Sequence, residues 1–376
     1  MKISKISLVN FRNYSSVLVN LNKKMNIFIG DNAQGKTNIL ESIVILALTK
    51  SHRVGNNPNI IQFGKSKSTI KGTIRKDNII SKLEVSVTND TKKTSVNGTE
   101  VKKLSDYISN LNVIVFTPDD LDIIKGSPNI RRNLLNIQLS QISKVYLNTY
   151  NEYNKILKTR NEYLKILFSS SIADKKYLDI ITDRLIEKAI IIYQKRREYL
   201  DFVNEYIDTY FSDISNTNGL KIVYLPNVEF SSYDTLEMQN TLKKIFTKNY
   251  MKELNNGMTL YGPHRDDFVF QFLDNDLKYF GSQGQHRIAI LCFKLSEIEM
   301  MRENKYVKPI LLLDDIFSEL DKEKKENIIK YIDNDLQVFI TSTDINNIDT
   351  KLIEKADVFY VENAKVYERG EKDGRE

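Results

Sequence analysis

Apolar and polar positions change their period twice along the chain, and those changes predict its organisation. Near the N-terminus the apolar residues sit in short β-branched runs: Ile3, Ile6, Leu8 and Val9, then Val17, Leu18 and Val19. They predict two strands broken at Arg12-Asn13-Tyr14. Met25–Ile29 predicts a third strand, and Ile39, Leu40, Ile43, Leu46 and Ala47 fall on one face of a helix. Residues 67–101 read as a strand meander with a hairpin at Asn97-Gly98. Asn112–Phe116 reads as a buried strand leading into a helix start at Thr117-Pro118.

The spacing then becomes helical. Leu139–Phe168 and Leu178–Tyr210 carry apolar residues at helical intervals, and Ser169–Asp174 breaks them. This predicts an antiparallel helical hairpin with arms on the order of 40–50 Å at 1.5 Å per residue. A strand over 219–230 and an amphipathic helix over 235–254 follow. Mixed α/β patterning then returns: a strand over Asp267–Leu273, a turn at Asp274–Asp276, a helix over Gln283–Met301 and a buried strand over Pro309–Leu313. After it come a helix over Lys322–Ile332, strands over Gln337–Thr341 and Asp357–Val361, and a charged end past Glu362 that is expected to fray. The prediction is an α/β head split in sequence, over 1–135 and 255–376, with a helical arm inserted over 136–254.

Composition narrows the class. The chain has 376 residues, 41% of them hydrophobic, so a sizeable core can be buried. The net charge of +6 suits a nucleic-acid partner and equally an ordinary enzyme. The only cysteine, Cys292, lies in an apolar run, which excludes an internal disulfide and agrees with a reducing cytoplasm. No apolar run nears the roughly 20 residues of a membrane span, and the N-terminus lacks a signal-peptide core. A soluble intracellular protein is expected. Lys155, Lys158, Arg160, Lys195, Arg196 and Arg197 are expected on the arm's outer faces, either merely solvated or forming a phosphate-contacting stripe.

The chemistry concentrates at Gly30-Asp31-Asn32-Ala33-Gln34-Gly35-Lys36-Thr37-Asn38, a G-x-x-x-x-G-K-[ST] loop between a strand and a helix. The glycines let backbone N–H groups face a polyphosphate, and the helix start adds its dipole. Lys36 is expected to reach the β- and γ-phosphates of ATP and Thr37 to ligate Mg2+. The strand Pro309–Leu313 ends in paired carboxylates. Asp314 is expected to hold the magnesium and Asp315 to polarise an attacking water as general base. Arg12 is read either as a phosphate contact or as an ordinary surface arginine.

Gly281-Ser282-Gln283-Gly284-Gln285-His286-Arg287, opening a helix, resembles the signature of ABC-type ATPases. There the serine and helix start bind the γ-phosphate held by a second head. That resemblance implies a head-to-tail, ATP-dependent homodimer in which Ser282, Gln283, Gly284 and Gln285 reach across. Ser318–Asp321 fits the D-loop, so Asp321 joins those trans contacts, and Thr343 stands where the superfamily has a switch histidine.

Several motifs in order, Asn10–Tyr14, the phosphate loop, Lys50-Ser-His-Arg53, Lys125-Gly-Ser-Pro-x-x-Arg131-Arg132, Gly262-Pro-His-Arg-Asp-Asp267, the signature and Leu313–Asp321, resemble the RecF family of SMC-like ABC ATPases. The resemblance implies an ABC-type head with a mixed sheet, an antiparallel β subdomain and a helical arm. It also implies a cytoplasmic, nucleoid-associated DNA-binding recombination mediator with slow, DNA-stimulated ATP hydrolysis. Such a protein acts on gapped, single- and double-stranded DNA with RecO and RecR, in recombinase loading, repair, replication restart and SOS induction. Asp315 in place of glutamate and Thr343 in place of histidine set the base less well, so turnover is expected below roughly 10 per second. His264 to Asp267 are expected at the nucleotide cleft or the dimer face. The alternatives are a transporter's nucleotide-binding subunit, which needs a membrane partner, and a phosphotransferase, which needs an acceptor other than water. With three histidines and one cysteine at no ligand spacing, zinc is not expected.

Overall fold

The computed structural model describes residues 1–53, 57–76, 79–169, 174–305, 308–316, 325, 330–331 and 335–369. The chain forms two compact units, Met1–Asp120 with Phe293–Glu376, and Leu121–Cys292. The second unit extends beyond 136–254 on both sides. The helix before the arm and the strands after it pack with the arm rather than with the head.

In the first unit, the two predicted strands are β1 (Lys2–Phe11) and β2 (Tyr14–Asn20), which pair antiparallel. β3 (Met25–Ile29) enters the phosphate loop, and α1 (Lys36–Leu48) leaves it. β4 (Lys67–Lys76), β5 (Ile79–Thr88), β6 (Lys92–Val96) and β7 (Thr99–Glu100) complete an antiparallel sheet in the order β2-β1-β4-β5-β6-β7. Asn97 and Gly98 both take positive φ, 53° and 83°, the turn that joins twisted strands tightly. Ile6, Leu8, Ile70, Ile74, Leu83, Val85 and Val87 alternate onto one face and bury against Ile39, Ile43 and Leu46 of α1 in one core. After α2 (Leu104–Ile108) and β8 (Val113–Phe116), the predicted helix start is instead a 3-10 turn over Pro118–Leu121. The Asp120 carboxylate accepts from the Thr117 amide at 2.8 Å there.

The second unit begins with α3 (Asp122–Lys125) and α4 (Pro128–Ile142), then the arm, α5 (Lys144–Ser169) and α6 (Lys175–Ser215). The predicted run from Leu139 is therefore broken at Ser143, where α4 ends. At 1.5 Å per residue α5 is about 39 Å long and α6 about 62 Å. Asp174 caps α6 by accepting from the Lys176 amide. Next come β9 (Leu220–Leu225), α7 (Thr235–Lys248) and α8 (Tyr250–Asn256); Asn249 splits the helix predicted over 235–254. β10 (Asp267–Phe272) and β11 (Asn275–Asp276) pair, so the turn lies at Leu273 and Asp274, both at positive φ, and not over 274–276. α9 (Leu277–Phe280) and α10 (Gln283–Lys305) follow.

Two arginines assigned to the arm's outer faces are buried. Arg160, 1% exposed, bonds Glu253 at 2.7 Å, Thr259 at 2.8 Å and Thr182 at 2.9 Å, and lies over the Phe246 ring. Arg196, also 1% exposed, bonds Asp266, the Pro263 carbonyl and Asn136. Lys155, Lys158 and Arg197 are exposed as expected, and Lys195 is half-buried. Cys292 is buried.

Back in the first unit, β12 (Ile310–Asp314), β13 (Gln337–Ser342), β14 (Ala356–Glu362) and β15 (Lys365–Glu368) join β3 and β8 in the order β15-β14-β3-β13-β12-β8. All but β15 run parallel. These parallel strands are continuous apolar runs because both faces are covered. Phe28 stacks between Phe359 (5.0 Å) and Phe339 (6.4 Å). The end expected to fray past Glu362 instead turns at Asn363-Ala364 and pairs as β15, antiparallel to β14. Ser318–Asp321 and almost all of Lys322–Ile332 lie outside the described residues.

Candidate nucleotide-binding site

The phosphate loop rises from the carboxyl end of β3, where open α/β sheets hold their ligands. Register brings the neighbouring strand ends level with it: Ile29 lies beside Ser342, and Asp314 beside Thr341. Gly30 is required because a Cβ there would lie 2.2 Å from the Val361 carbonyl oxygen. Gly35 has φ 119°, and a Cβ would lie 2.7 Å from the Tyr14 hydroxyl. Asp31, Asn32 and Ala33 are exposed at the loop's crest. Gln34 is held at both ends: its carbonyl accepts from Asn13 Nδ2 at 3.1 Å, and its side chain accepts from the Asn363 amide at 2.6 Å. Asn38 donates to Asn13 Oδ1 at 2.9 Å. No side chain caps the N-terminus of α1, which keeps its dipole directed at the loop.

Lys36 is folded onto the loop, donating to the carbonyls of Gly30 (2.5 Å) and Asp31 (2.8 Å). Burial lowers its pKa, opposed by the nearby Asp315, Asp314 and Asp31 carboxylates. Thr37 Oγ1 donates to Asp314 Oδ1 at 2.9 Å, and the buried Thr341 hydroxyl donates to the same oxygen at 2.7 Å. Thr341 Oγ1 also accepts from the Asp315 amide at 3.0 Å, and Asp315 has φ 51°. One buried hydroxyl therefore sets both members of the acidic pair. Thr343, half-buried, follows β13 by one residue. A carboxylate with adjacent hydroxyls suits a hard cation that keeps waters and phosphate oxygens as its other ligands, as Mg2+ does. Among the described residues, no group of three or more His, Cys, Asp or Glu could hold a metal.

Glu41 is a site residue that sequence reasoning passed over. Fully buried, it takes Arg12 Nε at 2.9 Å and Arg12 Nη2 at 2.6 Å, and the Ser51 hydroxyl. Burial alone raises the Glu41 pKa, but the bonds from Arg12 and Ser51 prevail and bring it below the usual carboxylate value. Arg12 is thus neither a free surface group nor wholly available to a phosphate. Arg53 reaches Asn38 Oδ1 at 3.3 Å, so the Asn10–Tyr14 and Lys50–Arg53 stretches converge beside the phosphate loop. The available signal was a carboxylate amid the apolar run Ile39-Leu40-Glu41-Ser42-Ile43. Thr341 left no signal beyond its place at a strand end.

In the second unit, Ser282 and Gln285 cap α10 reciprocally. The Ser282 amide donates to Gln285 Oε1 at 2.8 Å, and the Gln285 amide donates to Ser282 Oγ at 3.2 Å. Ser282, Gln283 and Gly284 are exposed. The Gly262–Asp267 stretch braces the same unit internally. His264 Nδ1 meets the Tyr153 hydroxyl at 2.6 Å. Asp266 takes Arg196, Tyr224 and the Asn227 amide. Asp267 takes Arg131 at 2.6 and 2.9 Å, while Arg132 donates to the Asp266 carbonyl at 2.7 Å.

A family model of the RecF/RecN/SMC N terminal domain matches residues 2–366. The chain is 39% identical over 370 residues to the DNA replication and repair protein RecF of Ligilactobacillus salivarius, covering 98% of each. It is 40% identical over 372 residues to that of Halalkalibacterium halodurans, covering 98% of this chain and 100% of the relative. A solved structure of the recombination mediator protein RecF-ATPrS in the RecFOR pathway superposes with TM-score 0.90 at 31% identity, over 98% of both chains. An Smc head bound to a winged-helix domain of ScpA shares the fold, with TM-score 0.55 at 15% identity over 100% of both chains. With an ABC-ATPase head fold and relatives matched along nearly their whole length, the chain belongs to the RecF/RecN/SMC N-terminal domain family.

Proposed function

We propose that this chain is an ATP-dependent, DNA-binding recombination mediator of replication and repair. Two copies close head to tail on two ATP molecules and hold DNA at single-strand gaps until slow hydrolysis reopens them. The observation that carries the nucleotide reading is the 2.9 Å contact between Thr37 and Asp314, which joins the phosphate loop to the acidic pair. Backbone N–H groups of Gly30–Asn38 cradle the phosphates, Lys36 exchanges loop carbonyls for β- and γ-phosphate oxygens, and Arg12 flanks them. Thr37 and Asp314 are the residues that would hold Mg2+. When bound, the ion neutralises charge on the β- and γ-oxygens. Asp315 takes a proton from water as the water oxygen bonds the γ-phosphorus and ADP departs, with Thr343 beside the terminal phosphate. Ser282, Gln283, Gly284, Gln285 and Asp321 complete the partner copy's site.

The full-length likeness to proteins named for DNA replication and repair supports this reading over a transporter subunit. No helix among the described residues is long and apolar enough to cross a membrane. RecO and RecR are the proposed partners, since the superposed RecF structures belong to the RecFOR pathway. Light scattering of Asp315→Asn with and without ATP and gapped DNA tests the clamp. ATP is expected to double the mass, and an unchanged mass refutes it.

A further inference from the structure

The turn that presents the signature is fastened by a ring. The Leu277 carbonyl, in α9, accepts from the Gly281 amide at 2.9 Å and from His286 Nε2 at 2.7 Å. A carbonyl only accepts, so Nε2 carries a proton. The ring is 2% exposed, and its Nδ1 is buried with no hydrogen-bond partner among the described residues. An orphaned buried nitrogen costs stability, which an apolar side chain at 286 would avoid. What the histidine supplies in return is its bond to Leu277. Gly281 fits the same junction, since a Cβ there would lie 2.6 Å from the Leu277 carbonyl oxygen and 2.7 Å from Nε2.

We propose, on the head-to-tail reading above, that His286 is a positioning residue for the trans contact. Its backbone belongs to the first turn of α10, where its amide bonds the Ser282 carbonyl at 3.0 Å, while its ring holds the end of α9. The reciprocal Ser282–Gln285 bonds set the signature turn relative to α10 alone. The ring sets it relative to α9 as well, across a glycine that has no side chain to do so. Ser282, Gln283 and Gly284 are thereby held exposed on a fixed frame. Beside them Tyr279 and Phe280 stand 73% and 75% exposed, so rings and signature form one uncovered edge of the kind a partner covers. Donors aimed in advance meet a second copy's phosphate without being ordered on arrival, which is where a fixed turn gains affinity.

Side-chain reach supplies the test. The amide nitrogen of glutamine lies as far along its side chain as Nε2 does in histidine, and that of asparagine stops one bond short. His286→Gln therefore keeps the bond to Leu277 and His286→Asn loses it. Both are made in the full-length Asp315→Asn chain, and ATP-driven mass doubling is followed by light scattering across protein concentration. Each dimer contains two signatures, so His286→Asn is expected to raise its dissociation constant about 10- to 100-fold, with His286→Gln like the parent. Fluorescent-ATP titration of the monomer is expected to give the parent's affinity for every variant, since the phosphate loop is untouched. Should His286→Asn melt below the parent, Gly281→Ala, whose methyl group displaces the ring, gives the same reading. Dimerisation of His286→Asn at the parent's concentration, an equal loss from His286→Gln, or weakened ATP binding by the monomer overturns the proposal. An Asp315→Asn parent that does not double in mass refutes the head-to-tail reading itself, and the role of His286 with it.

Discussion

Replacing Asp266 with alanine asks whether the Gly262–Asp267 stretch holds the second unit together or serves the nucleotide. Asp266 is 1% exposed and accepts from Arg196 Nη1 at 2.9 Å, the Asn227 amide at 2.9 Å and the Tyr224 hydroxyl. Asp266→Ala strands the Arg196 guanidinium, itself 1% exposed, and leaves a buried hydroxyl and amide unpaired. Breaking a buried ion pair costs about 3–5 kcal/mol. Orphaned donors add to that, about 1–3 kcal/mol for each. Arg196 keeps the Pro263 carbonyl, Asn136 and Tyr146, which pulls the expected loss back to about 3–5 kcal/mol. Urea unfolding followed by circular dichroism measures it, with ATP affinity taken well below the transition. The double variant Arg196→Met, Asp266→Leu removes both charges and is expected to recover most of the loss. A loss under about 1 kcal/mol from Asp266→Ala, inside the scatter of ordinary surface changes, refutes the brace. So does weakened ATP binding without destabilisation.

Two further outcomes follow from the geometry. Gly35→Ala places a methyl group 2.7 Å from the Tyr14 hydroxyl at φ 119°, and is expected to cost about 1–3 kcal/mol and weaken ATP binding. A parent-like thermal melt contradicts that. Burial holds the His264 pKa down to about 4 from 6.5, only partly offset by its Thr259 carbonyl bond. The folded protein therefore keeps the neutral ring, so this contribution to stability is whole above pH 6.5 and is lost as pH falls towards 4. Melting temperatures between pH 7.5 and 4.5 should decline more steeply for the parent than for His264→Gln; parallel profiles contradict it.

What the sequence disclosed is what is local in it. Gly30–Thr37 is read from consecutive residues whose chemistry requires that order, and the strands of the head announce themselves by β-branched runs. Arg160 and Arg196 were misplaced because helical periodicity ranks apolar residues and treats every cation as outward. Their counter-charges, Glu253 and Asp266, lie far along the chain, and nothing near the arginines points to them. The Ser143 and Asn249 breaks went unread since neither residue is a glycine or proline. The charged tail concealed β15 because an edge strand tolerates polar residues and shows no apolar run. Glu41 and Thr341 act through tertiary contacts, with Arg12 and with Asp314, that no spacing encodes.

The pairing of β3 has a consequence for how the protein comes into being during synthesis. Both neighbours of β3 come from the far end of the chain: Met25 lies beside Val338 on one side and Ala356 on the other. The phosphate loop is translated roughly 300 residues before the strands that flank it. Nascent protein therefore carries a phosphate loop without its flanking strands until those strands emerge, and contacts of such long separation form slowly. A message truncated before Gln337 yields a product with the complete loop motif and no pocket in which to use it.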